Sequence, residues 1–273
     1  MAHLFTHLLL ATEHSEFDTG AESVALGLAL RCQLPLATVV PLVSNPEYEA
    51  AAPQIAARAE REASSKIAQL RAQADAVGVT LDLRVRRGEE PYCEIVQEAQ
   101  TQGSDLIIIR RRGKRGFLAN LLVGETVSKV VAHAPCHVLI VPREGHMWRQ
   151  RVLVAAEPTP QGRQIVATAV AVAAEYGLPL HLVSVIPVEG LRPHADAFIT
   201  DMLNQAQQSG VAAQGEVRSG KPFTEILVAA AKCQADLIVI GSRGDSRIGR
   251  SLIGGVAQKV MGLSEHPVLV LHF

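Results

Sequence analysis

Residues 94–109 read EIVQEAQTQGSDLIII, and residues 225–240 read EILVAAAKCQADLIVI. Each passes from an amphipathic segment through a short polar step into four consecutive aliphatic residues, Leu106–Ile109 and Leu237–Ile240. A run that is apolar at every position predicts a strand covered on both faces. Such strands belong to parallel sheets, whose neighbours must be joined by crossovers. A helix feeding a buried strand is therefore part of an alternating α/β unit, and its appearance twice implies two of them.

The duplication extends outward from this pair. HLLLATEHS (7–15) resembles RVLVAAEPT (151–159), and LPLATVVPLV (34–43) lies over LPLHLVSVIPV (178–188), both at an offset of 144. The pair quoted first is offset by 131, and HAPCHVLIVP (133–142) is matched with SEHPVLVLHF (264–273). The fall in offset places a length difference between about residues 45 and 80. A unit of about 135 residues is too long for a solenoid repeat and fits a duplicated domain. REGHMWRQ (143–150) is the polar junction, giving domains 1–143 and 150–273.

Each half alternates in period. Leu8–Ala11 and Val152–Ala155 are short buried-strand runs. Asp18 or Ser15 is placed to cap a first helix carrying Ala21, Val24, Ala25, Leu28 and Cys32. Thr159-Pro160 starts its counterpart, which carries Ile165, Val166, Ala169, Ala173 and Tyr176. Leu36–Val40 and Leu180–Ile186 are second strands. Ile55, Ala59, Ala63, Ile67, Leu70, Ala74 and Val77 mark a long amphipathic helix, and Phe198, Met202 and Ala206 a shorter one. Third strands (81–85, 213–217), helices (91–101, 222–233), fourth strands (105–109, 236–240), a glycine loop, a last helix and a fifth strand complete each unit.

Composition excludes several function classes. The 273 residues carry 26 Lys+Arg against 27 Asp+Glu, and aromatic residues make up 4%. A balanced charge supplies no field for bulk attraction of DNA, and so few aromatic rings build no base-stacking platform. No apolar run reaches a membrane span, and the N-terminal stretch lacks the basic residues of a secretory signal. Cys32, Cys93, Cys136 and Cys233 are widely separated, which suits a reducing, cytoplasmic setting and argues against a disulfide framework or a thiolate zinc site. GxxxxGK[ST] and GxGxxG are both absent, which argues against an NTPase motor and a dehydrogenase.

The candidate chemistry lies after the fourth strands, since ligands of open α/β sheets bind beyond strand carboxyl ends. Residues 236–260 read DLIVIGSRGDSRIGRSLIGGVAQKV. Gly241, Gly244, Gly254 and Gly255 would let backbone approach a phosphate, and the following helix would aim free N–H groups at it. Arg243, Arg247 and Arg250 would neutralise its charge. The bland alternative is a surface loop with turn glycines and solvated arginines.

The spacing Gly-x2-Gly-x9-Gly, a first strand of the form VLVA-x-acid-x-[ST], and the segment HAPCHVLIVP together resemble the universal stress protein family. The resemblance covers essentially the whole chain, twice, as in a tandem member. It implies two five-stranded, parallel, Rossmann-like domains of the adenine nucleotide alpha hydrolase-like kind. Their last strands, 138–141 and 268–272, would pair antiparallel to make an intrachain pseudo-dimer. It also implies a stress-response role in which the second domain binds ATP or a related adenine nucleotide, with or without Mg²⁺. Ala155, Ala156, Glu157 and the backbone at Val185 would hold the adenosine. Ile240, Gly241, Arg243, Gly244, Gly254, Gly255 and Val256 would surround the phosphates. The family pattern has Asp where Glu157 stands, so that the longer acid crowds the adenosine, and Ser or Thr where Gly255 stands. Asp245 and Glu225 are placed to reach a Mg²⁺.

The first half departs further, reading DLIIIRRRGKRGFLANLLVGETV at 105–127. Arg110 replaces Gly241, Gly124 arrives one residue late, and Glu125 would set a negative charge beside any phosphate. This half is expected to have lost ordinary ATP binding. Arg110, Arg111, Arg112, Lys114 and Arg115 make a basic loop read either as a site for another anionic ligand or acidic partner, or as solvated. His133-x3-His137 around Cys136 enters a strand, where the two rings point too far apart to chelate. His14 beside Glu13 has no accompanying nucleophile motif and reads as a solvated histidine. Three functional classes follow: a nucleotide-responsive regulator with no catalytic residues, a slow ATPase or phosphotransfer enzyme, and a ligand-free interaction module. Further homodimerisation is an expectation without a residue signature.

Overall fold

The computed structural model describes residues 3–44, 53–111, 123–242 and 253–273. The first half runs β1 (Leu8–Ala11), α1 (Thr19–Cys32), β2 (Leu36–Val43), α2 (Pro53–Ala76), β3 (Leu81–Gly88), α3 (Pro91–Gln102), β4 (Leu106–Arg110), α4 (Glu125–His133) and β5 (His137–Val141). The second half repeats it as β6 (Val152–Ala155), α5 (Pro160–Tyr176), β7 (Leu180–Ile186), α6 (Arg192–Gln208), β8 (Ala213–Ser219), α7 (Pro222–Cys233), β9 (Leu237–Gly241), α8 (Gly255–Leu263) and β10 (Val268–Leu271).

All ten strands join one sheet in the order β3-β2-β1-β4-β5-β10-β9-β6-β7-β8. Every pairing is parallel except β5 with β10, where Val138, Leu139 and Ile140 face Val270, Leu269 and Val268. The order reads as the same five-strand unit from either end, so a pseudo-twofold axis passes between Leu139 and Leu269. The chain thus forms the expected α/β pseudo-dimer. The central strands β1, β6 and β9 are apolar throughout, and β4 is so up to Arg110, because helices cover both faces. One face packs α1, α2, α5 and α6 around Leu10, Leu36, Val154 and Leu182, and the other packs α3, α4, α7 and α8 around Leu9, Ile107, Leu153 and Ile238. Each core runs through both halves without interruption.

Several local readings need correction. Asp18 stands at the first turn of α1 but gives the helix no side-chain cap, because its carboxylate is drawn elsewhere, as described below. Thr159 does cap α5, accepting the Gly162 N–H at 2.9 Å. In α2, Ala63, Leu70 and Ala74 are buried, whereas Val77 lies past the helix end and is exposed. The side chains of Ile55 and Ala59 lie outside the described residues. The polar junction is not loose: Trp148 is 5% exposed and meets the Tyr176 ring at a tilt of 58°, with centroids 5.1 Å apart. Gly20 of α1 lets the Pro142 carbonyl approach to where a Cβ would lie only 2.2 Å away.

The final strands are related by 130 residues rather than the 131 of the fourth strands. Ala134 and Ser264 both cap the C-termini of their helices, and Leu139 opposes Leu269. The first copy therefore holds one extra residue between β4 and α4. Gly124 and Gly254 both stand at the helix N-cap. Gly124 is not displaced from its counterpart; the loop before it is longer.

A titratable side chain, His137, takes part in the hydrogen bonding of the seam between β5 and β10. His137 Nδ1 accepts the His272 N–H at 3.1 Å, and burial holds the imidazole below its ordinary pKa despite Asp105 nearby. A depressed folded pKa contributes stability above the unfolded value, about 6.5, and loses it as pH falls toward the lowered one. Urea denaturation at pH 7.5 and 5.5 is expected to show a larger acid-induced loss for the wild type than for His137→Gln. Equal losses would exclude this coupling.

Candidate functional site

A cavity of about 380 Å³ opens at the carboxyl ends of β6 and β9, between the N-termini of α5 and α8. It is lined by Ala155, Ala156, Glu157, Thr159, Gln161, Gly162, Ile165, Pro222, Ile226, Ile240, Gly241, Gly254, Gly255, Val256 and Ala257. Gly254 N–H donates to the Ser242 carbonyl at 2.9 Å, which brings the return of the glycine loop against the end of β9. Gly254 is the N-cap of α8, so the helix's first-turn N–H groups and its positive dipole end face the cavity. A Cβ at Gly255 would meet nothing within 4 Å, which leaves open space at the position where the resemblance leads one to expect a hydroxyl.

Of the residues anticipated from sequence, Ala155, Ala156, Glu157, Ile240, Gly241, Gly254, Gly255 and Val256 line this cavity. Val185, whose backbone was anticipated there, is not among the lining residues; it lies on β7 two residues past Val183, whose carbonyl accepts the Ala156 N–H at 3.1 Å, and its side chain packs beside the α7-side core. Arg243, Gly244, Asp245, Arg247 and Arg250 lie outside the described residues. Glu157 does not crowd the interior, because its side chain stands exposed on the rim. Glu225 is held by Arg218 at 2.8 Å rather than turned toward the glycine loop. Reading the sequence missed Thr159, Gln161, Gly162, Ile165, Pro222, Ile226 and Ala257 as lining residues. Gly162 had a local signal, two residues after Pro160 at a capped helix start. A Cβ there would lie 1.9 Å from the Glu157 carbonyl, so only glycine lets α5 begin against this loop.

The equivalent place in the first half is filled. About 30 Å³ remains among Ala11, Thr12, Glu13, Asp18, Ile109 and Arg110. Arg110, 6% exposed, turns inward: Nη1 donates to Ser15 Oγ at 2.5 Å and to Asp18 Oδ2 at 2.8 Å, and Nη2 donates to Glu13 Oε2 at 2.7 Å. Asp18 also accepts the Ser15 N–H, which is why it cannot cap α1. At the other end, Thr12 Oγ1 donates to Glu22 Oε1 at 2.6 Å, and His14 Nδ1 lies 3.0 Å from the same oxygen. His14 is thus a buried partner of Glu22, with φ of 46°, and not a solvated neighbour of Glu13. Thr12 corresponds to Ala156, Asp18 to Gly162 and Arg110 to Gly241, so larger polar residues of the first copy stand where small residues line the cavity of the second.

The basic loop is likewise less basic than it reads. Arg111 reaches into the second half, where Nη1 donates to the carbonyls of Gly262, at 3.1 Å, and Ser264 at the C-terminus of α8. Burial lowers its pKa, and the helix end supplies the partial negative charge that holds the cation there. Arg112, Lys114 and Arg115 lie outside the described residues. Glu125 is exposed and pairs with Lys129 at 3.1 Å. His133 and His137 do not converge: His133 Nδ1 meets the Lys129 carbonyl, whereas His137 serves the seam. Burial pushes the Cys136 thiol up to about 12, so it stays protonated.

Removing the Arg110 guanidinium would leave Asp18 buried without its cation. Arg110→Met is expected to cost roughly 3–5 kcal/mol of stability, the usual loss on breaking one side of a buried pair. Chemical denaturation measures it, and a change below about 1 kcal/mol would show that the network is dispensable.

Comparison with known proteins agrees with this geometry. The family profile described as "Universal stress protein family" matches residues 4–142 and again 149–272. A universal stress protein of Mycobacterium tuberculosis is 24% identical over 248 residues, 82% of each chain. One from Bacillus subtilis is 32% identical over 110 residues, which span 40% of this chain and 74% of that one. The crystal structure of a universal stress protein from Archaeoglobus fulgidus superposes with a TM-score of 0.78 over 97% of this chain and 95% of the other, at 20% identity. With the profile matched once in each half of its continuous sheet, the chain belongs to the universal stress protein family, as a tandem of two such domains.

Proposed function

We propose that the second domain binds ATP or a related adenine nucleotide and that occupancy regulates how the protein meets other proteins. The observation that carries the reading is the contrast between copies of one fold. The second copy keeps a cavity of about 380 Å³ ending on Gly241, Gly254 and Gly255, whereas the first leaves about 30 Å³ around Arg110. The small side chains of Ala155 and Ala156 and the apolar Ile165 and Ile226 suit a flat heteroaromatic base with its ribose. The start of α8 supplies N–H donors suited to phosphate oxygens. A bound nucleotide would supply negative charge to that helix end and would stabilise the loop that closes on β9 by mass action.

Protein purified under native conditions, then denatured, is expected to release adenine nucleotide, and nucleotide-free protein is expected to give binding heat with ATP in the presence and absence of Mg²⁺. Gly254→Val should abolish the heat by placing a branched side chain at the N-cap. Gly255→Ser, which adds a hydroxyl into open space, should tighten binding by about fivefold, the equivalent of about 1 kcal/mol for one hydrogen bond. Neither released nucleotide nor heat at millimolar ATP would overturn the proposal. Magnesium-dependent hydrolysis abolished by Gly254→Val would replace it with the slow ATPase reading.

A further inference from the structure

The segment before β1 crosses to the other half of the molecule. His3 Nδ1 lies 2.7 Å from Glu175 Oε1, and the Leu4 N–H donates to Glu175 Oε2 at 3.1 Å. Cys32, the last residue of α1, directs its thiol at the same Oε1 from 3.9 Å. The three donor atoms, one nitrogen, one sulfur and one oxygen, all lie within 4.8 Å of one another. Cys32 is buried, and His3 and Glu175 are half-buried. Among the described residues this is the one group of three such donors that converges.

Two groups able to carry a proton, the imidazole and the thiol, turn toward one carboxylate oxygen, which can accept from both. A divalent cation in their place satisfies all three. The imidazole coordinates through Nδ1 with its proton on Nε2, the thiol releases its proton, and thiolate plus carboxylate neutralise the metal's two charges. Neutrality matters where Cys32 is buried and His3 and Glu175 are half-buried. Without metal, burial and the Glu175 charge raise the Cys32 pKa, while Arg31 lowers it. Arg31 stays close without entering the donor set: it donates to the Glu175 carbonyl at 3.0 Å and stacks on Tyr176 at 4.4 Å. Tetrahedral zinc with bonds of about 2.0–2.3 Å separates its ligands by about 3.5 Å. Adjustments of about 1 Å in the side chains reach that geometry from the distances here.

The cluster is also unrepeated. At the offset of 144 that relates β1 to β6 and the end of α1 to the end of α5, His3 corresponds to Met147, Cys32 to Tyr176, and Glu175 to Arg31. Those residues offer neither thiolate nor carboxylate. The donor set therefore arises only where the two diverged copies meet across the pseudo-twofold.

We propose that His3, Cys32 and Glu175 bind one zinc-class divalent cation per chain, with water in the fourth position, and that the ion clamps the two domains together. The class follows from the borderline nitrogen, sulfur and oxygen donors, which suit zinc rather than magnesium or calcium.

The test uses the full chain stripped of metal and titrated with Co²⁺. One equivalent is expected to produce a thiolate-to-cobalt charge-transfer band that Zn²⁺ then displaces. Cys32→Ser should abolish the band and Cys93→Ser should leave it intact. His3→Ala should weaken Zn²⁺ binding by at least the roughly tenfold that even an outer-shell loss costs. Should Cys32→Ser fail to fold, zinc-edge X-ray absorption on the wild type and on Cys93→Ser decides the matter, with one sulfur among nitrogen and oxygen scatterers expected in both. No charge-transfer band, a band that survives Cys32→Ser, or a zinc edge without sulfur would overturn the proposal.

Discussion

The antiparallel register of β5 on β10 is the constraint on which the rest of this molecule depends. A five-stranded parallel sheet ends in an open edge of unpaired N–H and C=O groups, which proteins cover or pair. Here each copy covers the other's edge, with Leu139 opposite Leu269. Because the two edges belong to one chain, pairing takes no loss of translational freedom of the kind two separate chains meet. The seam then fixes every contact between the halves. It places the Arg111 guanidinium on the C-terminus of α8, packs Trp148 against Tyr176, and brings the end of α1 to the end of α5.

Duplication also lets one site keep a property that the other loses. The fold requires the backbone path from β4 or β9 into the following helix, but it does not require what fills the space beside that path. In the second copy, Gly241 and Ala156 leave the space empty. In the first, Arg110 and Thr12 fill it, and burying a guanidinium there demands compensation from Asp18, Glu13 and Ser15. Of the acidic partners, Asp18 stands where the second copy has Gly162, whereas Glu13 matches Glu157 and is an acid in both copies. A buried charge is tolerated when paired and hydrogen-bonded, and this one has a partner on each outer nitrogen.

The alternation of elements, the duplication, and most residues around the cavity were legible in the sequence because each depends on local chemistry. Four aliphatic residues in a row after a polar step, as at Leu106–Ile109 and Leu237–Ile240, read as buried strands, and glycines ahead of a helix permit close approach wherever the helix starts. The cap at Thr159 was readable for the same reason. The misreadings have a common origin in side-chain direction. Glu157 was expected to crowd the pocket and instead points to solvent, and His14 was expected in solvent and instead meets Glu22. Neither of these directions is encoded in spacing.

The amino-acid sequence by itself determined that there are two α/β units, where each strand and helix lies, and which copy retains the glycines at its loop. These are properties of short segments, set by periodicity and by the steric needs of single residues. Only the tertiary structure decided that Arg110 is a buried plug and not part of a basic surface. It alone showed that Arg111 belongs to the other domain's helix, and that His3, Cys32 and Glu175 come together. Contacts between residues about 90 to 170 positions apart follow from strand register and helix direction summed across the sheet, and no pattern in the intervening chain records them.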